Sequence, residues 1–148
     1  MLGSSRQAGG VGAGGTLILP GGNDTATGRF WDGIQRGRLL LQQCRRCGHC
    51  WHPMADVCEA CRAIDVQWRE SRGDGMLYSY TLVHHAVHPL VQPWIPYTLC
   101  LAQLDEGPRI LATIEPDDGR DLAIGSRLRL GFRRLSQDFQ IPVFHLVP

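Results

Sequence analysis

Two cysteine pairs constrain this chain more than any other feature. Cys44-Arg45-Arg46-Cys47 and Cys58-Glu59-Ala60-Cys61 are two C-x2-C turns separated by ten residues, 48 to 57. Two thiolates two residues apart on a tight turn reach one ion, and two such turns complete a closed tetrahedral site. The spacing therefore predicts one structural zinc ion held by Cys44, Cys47, Cys58 and Cys61. A four-sulfur site has no open position for substrate, so this zinc is expected to hold the fold and do no catalysis. Its removal should unfold residues 39 to 71.

The register of the first pair needs a reason, because Cys47-Gly48-His49-Cys50 is also C-x2-C. Gly48 supplies it: the residue after the second ligand of such a turn often needs a positive φ, which glycine adopts freely and Trp51 would not. Cys50 is then a spare thiol, while His49 and His52 stand as competing ligands. A redox dithiol at Cys44 and Cys47 is the other reading, with the flanking arginines lowering the thiol pKa; the second pair at ribbon spacing favours metal. A disulfide framework would need a secretory context, and the amino terminus shows no export signal.

At 148 residues the chain makes one ordinary domain or two very small ones. Lys+Arg 15 against Asp+Glu 14 gives a net charge of +1, so no strong field draws it onto polyanions or anionic lipid. No stretch approaches the roughly 18 apolar residues of a membrane span, and the chain reads as cytoplasmic. Residues 1–28 are glycine-rich with one short apolar run, Leu17-Ile18-Leu19, and are expected to form a flexible tail that cannot offset its ordering entropy.

Beyond the tail, Phe30, Trp31 and Ile34 share one side of an amphipathic helix over Thr27 to Arg38 that ends near Gly37. Leu39 to Leu41 lead into the first knuckle as a strand and Val66 to Ser71 leave the second. From Gly73 onward the pattern changes to five short strands: Met76 to His84, a hairpin of Tyr97 to Leu104 and Arg109 to Glu115 around Asp105-Glu106-Gly107-Pro108, then a strand through Leu128, Leu130 and Phe132, and Val143 to Val147. Five short strands fit a small closed barrel such as an OB-fold; a sandwich matches the same pattern. The division is tail 1–28, helix and zinc ribbon 29–72, barrel 73–148.

Several of these residues together resemble a known family. Phe30-Trp31-Asp32-Gly33 with Gly37-Arg38-Leu39, the Cys44/Cys47-Gly48 turn, Pro53, the Cys58/Cys61 turn, Gly73-Asp74-Gly75 with Tyr78-Ser79-Tyr80-Thr81, and finally Gly125 and Pro142-Val143-Phe144 resemble the zinc-ribbon/OB-fold acyl-CoA-associated proteins, once filed as a domain of unknown function. The resemblance implies a mainly β chain with a short N-terminal helix, a rubredoxin-like zinc ribbon and a five-stranded OB-fold barrel. It further implies an accessory subunit of a thiolase-like partner, acting on acyl-CoA thioesters by steroid side-chain aldol cleavage, acyl transfer or thiolysis, with the chemistry in the partner. His52-Pro53 and Glu59 depart from the family pattern, where proline is common at 52 and 59.

Candidate contact residues fall in two groups. The loop His84 to Pro96 carries His84, His85, His88 and Trp94 with three prolines and runs into Tyr97. It reads either as a surface for the partner near its acyl-CoA tunnel or as a lid over one end of the barrel. Arg127, Arg129 and Arg133 share a strand face that could receive coenzyme A phosphates, with Arg45 and Arg46 on the zinc turn a second candidate, although such a face is commonly just solvated. Cys100 lies in an apolar strand and reads as core. Ser79 and Thr81 have no acid-base partner nearby, which gives an independent hydrolase little support. A single-stranded nucleic-acid-binding module is the competing function, because zinc ribbons and OB-folds both occur in such proteins, but the low net charge and few strand-face aromatics argue against it.

Overall fold

The computed structural model describes residues 26–86, 89–115 and 122–148. Helix α1 (Ala26–Gln35) precedes three short strands, β1 (Leu40–Cys44), β2 (Cys50–Trp51) and β3 (Val66–Glu70). Five further strands follow: β4 (Asp74–Val83), β5 (Tyr97–Leu104), β6 (Arg109–Ile114), β7 (Arg127–Arg134) and β8 (Gln140–Leu146). Most of the expected tail lies outside the described residues. Residues 26–28, assigned to that tail from composition, instead form the first turn of α1, with Gly28 buried.

α1 buries Phe30 and Ile34 on the predicted face, while Trp31 turns its ring toward Phe139 at 5.6 Å. The helix stops at Gln35, short of the expected Arg38, because Gly37 takes a φ of 71°. The Gly37 N–H then donates to the Ile34 carbonyl and the Arg38 N–H to the Gly33 carbonyl, both at 2.9 Å. This Schellman arrangement satisfies carbonyls that the helix end would leave open.

β1 is the centre of a three-stranded antiparallel sheet, order β2-β1-β3, with Gln42 opposite both Trp51 and Trp68. β2 leaves no signal in the sequence, since two residues are too few to show a period. The remaining strands close into a barrel in the order β4-β5-β6-β8-β7. All its ladders are antiparallel except β6–β8, which pairs Thr113 with Val143 and Ile114 with Phe144. Closure in this order is the OB-fold and removes the sandwich alternative.

Two strand boundaries and one loop correct the sequence reading. β4 begins two residues before Met76 and carries a bulge between Leu77 and Ser79, beyond which both faces are open: Tyr78, Ser79, Tyr80, Thr81 and Leu82 are all exposed. β8 begins at Gln140, three residues before the expected Val143, and runs through Pro142. Pro142 pairs with Phe132 of β7 before β6 joins at Val143, so a residue without an N–H sits where the strand has one neighbour. The loop before β5 contains a short 3-10 helix, Pro89–Trp94.

The ribbon's base and the barrel share one core. Phe30, Ile34, Leu39 and Leu41 belong to the same buried cluster as Leu77, Cys100, Leu128 and Phe144. Each such side chain contributes about 1.5–3 kcal/mol relative to exposure, so helix and first strand are held by the barrel as well as by zinc. A smaller cluster of Cys44, Trp51 and Cys58 surrounds the knuckles.

Candidate metal centre

The end of β1 and the loop before β3 bring the two cysteine turns together. The turns share one backbone pattern. In the first, the Cys44 N–H donates to the His49 carbonyl at 2.8 Å and the Gly48 N–H to the Cys44 carbonyl at 2.9 Å. In the second, the Cys58 N–H donates to Ala63 O and the Arg62 N–H to Cys58 O, both at 2.9 Å. Gly48 has a φ of 76°, as the choice of register required. Arg62, its counterpart after Cys61, has a φ of 62° and is the non-glycine residue in the left-handed region among the described residues. The same offset from the second cysteine could have found it.

The sulfurs of Cys44, Cys47, Cys58 and Cys61 all lie within 4.8 Å of one another. Cys44 and Cys61 are 3.6 Å apart, as are Cys47 and Cys58. Ligands at the usual zinc–sulfur length stand roughly 3.8 Å apart on the edge of a tetrahedron, so the cage fits zinc. The opposite shifts of Cys44 and Cys47 point the same way. The backbone N–H of Cys47 lowers Cys44 to about 7. Cys47, despite the His49 amide pulling it down, is pushed up to about 12 by burial and by the sulfurs of Cys61, Cys58 and Cys44. Four thiolates this close need a cation to coexist, and one structural zinc supplies it.

The competing donors are engaged elsewhere. His49 Nε2 is 2.8 Å from Glu59 Oε1, a link from one knuckle to the other, and its ring stacks on Trp51. His52 packs on the Phe30 ring at 5.0 Å. Cys50 is buried in β2 with its sulfur toward the Gly48 carbonyl. Cys100 is a core thiol, pushed up to about 11 chiefly by burial.

Four of the five candidate phosphate-binding arginines have a carboxylate. Arg127 makes a bidentate pair with Asp105 at 2.9 and 2.8 Å, Arg129 meets Asp74 at 3.2 Å, and Arg133 pairs with Glu115. Arg45 Nε is 3.4 Å from Asp65, while Arg46 is exposed and makes no ion pair among the described residues. In the loop, His84 and His85 are exposed, and His88 lies outside the described residues. Trp94 stacks under the Arg133 guanidinium, 4.3 Å from its ring centre, and Tyr97 is half-buried at the edge of a cleft of about 490 Å³. The structure thus gathers Trp94, Tyr97 and Arg133 at one place, far in sequence from Arg45 and Arg46.

Comparison with known proteins fits this geometry. Residues 31–66 match the family model described as the ChsH2 rubredoxin-like zinc ribbon domain, and residues 68–133 match the ChsH2 C-terminal OB-fold domain. A "DUF35 domain-containing scaffold protein" of Methanocaldococcus jannaschii is 30% identical over 112 residues, covering 74% of this chain and 79% of that one. The chain belongs to the DUF35 family. A second relative, the "Probable enoyl-CoA hydratase alpha subunit" of Thermomonospora curvata, is 33% identical over 119 residues, 78% of this chain. This DUF35 chain spans only 36% of that relative's length. Among solved structures, a chain of the "Ltp2-ChsH2(DUF35) aldolase" superposes with a TM-score of 0.74 at 26% identity, covering 88% of this chain and 98% of that one. Among the described residues, no helix is long and apolar enough to cross a membrane.

Proposed function

We propose that this DUF35 chain is a non-catalytic accessory subunit that docks on a thiolase-like partner in the cytoplasm and supports that partner's chemistry on an acyl-CoA thioester. The observation that carries the reading is the likeness to the DUF35 chain of the Ltp2–ChsH2 aldolase, which extends through both the ribbon and the barrel at 26% identity. The preferred reaction is retro-aldol cleavage of a steroid side-chain CoA ester, ahead of acyl transfer and thiolysis. The closed zinc cage supports a structural part for the metal, since four sulfurs leave no position for substrate. Where CoA reaches this chain, Arg46 and Arg45 on the zinc knuckle are the arginines least committed to carboxylates; Arg127, Arg129 and Arg133 would exchange a carboxylate for a phosphate. That commitment also weighs against nucleic-acid binding, which depends on cations free to meet phosphates.

The test is co-purification of the tagged chain with a thiolase-like protein of the same genome, sought first in the neighbouring reading frame. Zinc content and acyl-CoA turnover are measured for the complex and for each part. A zinc-containing complex that turns over acyl-CoA only when joined supports the reading. Turnover by the isolated chain, or no complex with any thiolase-like protein, refutes it.

A further inference from the structure

The cleft beside Tyr97 sits on the outer face of the barrel, where the parallel pair β6–β8 meets the end of the 3-10 helix. Pro96, Tyr97, Thr113, Glu115, Arg133 and His145 line it. OB-folds commonly bind ligands on this side, over their second and third strands and beneath the loop between the first two, here β5 and β6 and the loop His84 to Pro96.

Three features make the cleft an unfinished contact. Thr113 is only 9% exposed, and its hydroxyl has no hydrogen-bond partner among the described residues. A buried hydroxyl left unpaired costs about 1–3 kcal/mol, which an incoming group would recover. Second, the cleft's charge is already balanced, because Arg133 is bound by Glu115 and backed by Trp94; a charged ligand would find no free countercharge. Third, the His145 ring occupies space that only glycine leaves open. A Cβ on Gly131 would lie 2.4 Å from His145 Nε2, so β7 is shaped to hold the imidazole against the sheet.

The surface next to the cleft decides between a small ligand and a protein. Leu111 and Thr113 point the same way from β6, and Leu101 and Leu99 stand opposite them on β5. Leu111 is 64% exposed, so the cleft continues into an apolar strip that no small polar ligand would cover.

Resting on the accessory-subunit reading above, we infer that this cleft and strip form the socket for a segment of the thiolase-like partner, which places an uncharged hydrogen-bonding group on the Thr113 hydroxyl and apolar side chains on Leu111, Leu101 and Leu99. The socket is neutral where it is deep and apolar where it is shallow.

The experiment uses the purified partner from the co-purification and compares wild type with Thr113→Val and Leu111→Lys. Melting temperature of the zinc-loaded chain alone and dissociation constant for the partner are both read. Thr113→Val removes the orphaned hydroxyl at constant shape, so the free chain should melt no lower than wild type while the complex weakens roughly three- to tenfold. Leu111→Lys, at an exposed position, should fold normally and weaken the complex at least as much. These opposite effects of Thr113→Val on fold and complex are what a merely structural threonine would not give. Wild-type affinity for Thr113→Val overturns the inference while leaving the accessory reading intact. Unchanged partner affinity with a raised KM for acyl-CoA would reassign the cleft to substrate and also overturn it. Failure of wild type to bind any thiolase-like protein removes both.

Discussion

The side-chain amide of Gln35 pairs with the backbone of Gln140, 105 residues away, as a neighbouring strand would. Its Oε1 accepts the Gln140 N–H at 2.8 Å and its Nε2 donates to the Gln140 carbonyl at 3.0 Å. The last residue of α1 thereby caps the first residue of β8. Gln35→Ala should cost about 1–3 kcal/mol, because it leaves both backbone groups of Gln140 without those partners. Urea denaturation of the zinc-loaded chain measures it; an unchanged midpoint would mean that water replaces the amide at no cost.

The paired knuckles allow a second comparison. Gly48 and Arg62 hold equivalent left-handed positions, and a side chain there costs about 1–2 kcal/mol. Space is open around Gly48, so Gly48→Ala should lower stability by about 1 kcal/mol through backbone strain alone, with zinc still bound. Arg62→Gly should be neutral or slightly stabilising, the relief of strain offsetting the entropy of glycine. Thermal melts of the two variants settle the sign of each.

Zinc removal should act on the ribbon first. Structural zinc in small ribbons contributes on the order of 10 kcal/mol or more of folding free energy. Cys58→Ser, or chelation, is expected to abolish amide protection in the cysteine turns between residues 44 and 66, read by hydrogen exchange, while β1 keeps part of its protection because Leu39 and Leu41 belong to the barrel's core; Cys50→Ser should retain one zinc per chain by elemental analysis. Loss of zinc from Cys50→Ser would move the ligand set to the other register.

Acid should reach the barrel through Asp105. Its hydrogen bonds from Arg127 hold its carboxyl below the ordinary value of 3.8. A group whose folded pKa is depressed stabilises fully above its unfolded value, about 4, and loses that contribution as pH falls through the folded one. Stability of the wild type should therefore drop below about pH 4 more steeply than that of Asp105→Asn, by a small margin because the pair is partly exposed. Parallel denaturation curves of the two proteins from pH 6 to 3, conditions chosen to span about the carboxylate range, would reject the assignment.

Much of this was legible in the chain itself, where the signal is local. The two C-x2-C turns, the Gly48 register and the period of two through Leu128, Leu130 and Phe132 each depend on neighbours within a few residues. What stayed hidden depends on partners distant in sequence. Nothing near Arg127, Arg129 or Arg133 announces Asp105, Asp74 or Glu115. Nothing near Thr113 announces Val143, which stands beside it only because β8 joins β6 in parallel. The open run from Tyr78 to Leu82 was equally hidden, since nothing local marks the bulge after Leu77 beyond which both faces of β4 are exposed.

The cluster that joins Phe30, Ile34, Leu39 and Leu41 to Leu77 and Phe144 means that the ribbon and the barrel are not separable modules. A cut between them would expose four large side chains on one piece and open the barrel's end on the other. Neither half should therefore fold when expressed alone, and the fate of the metal cage is tied to that of the barrel.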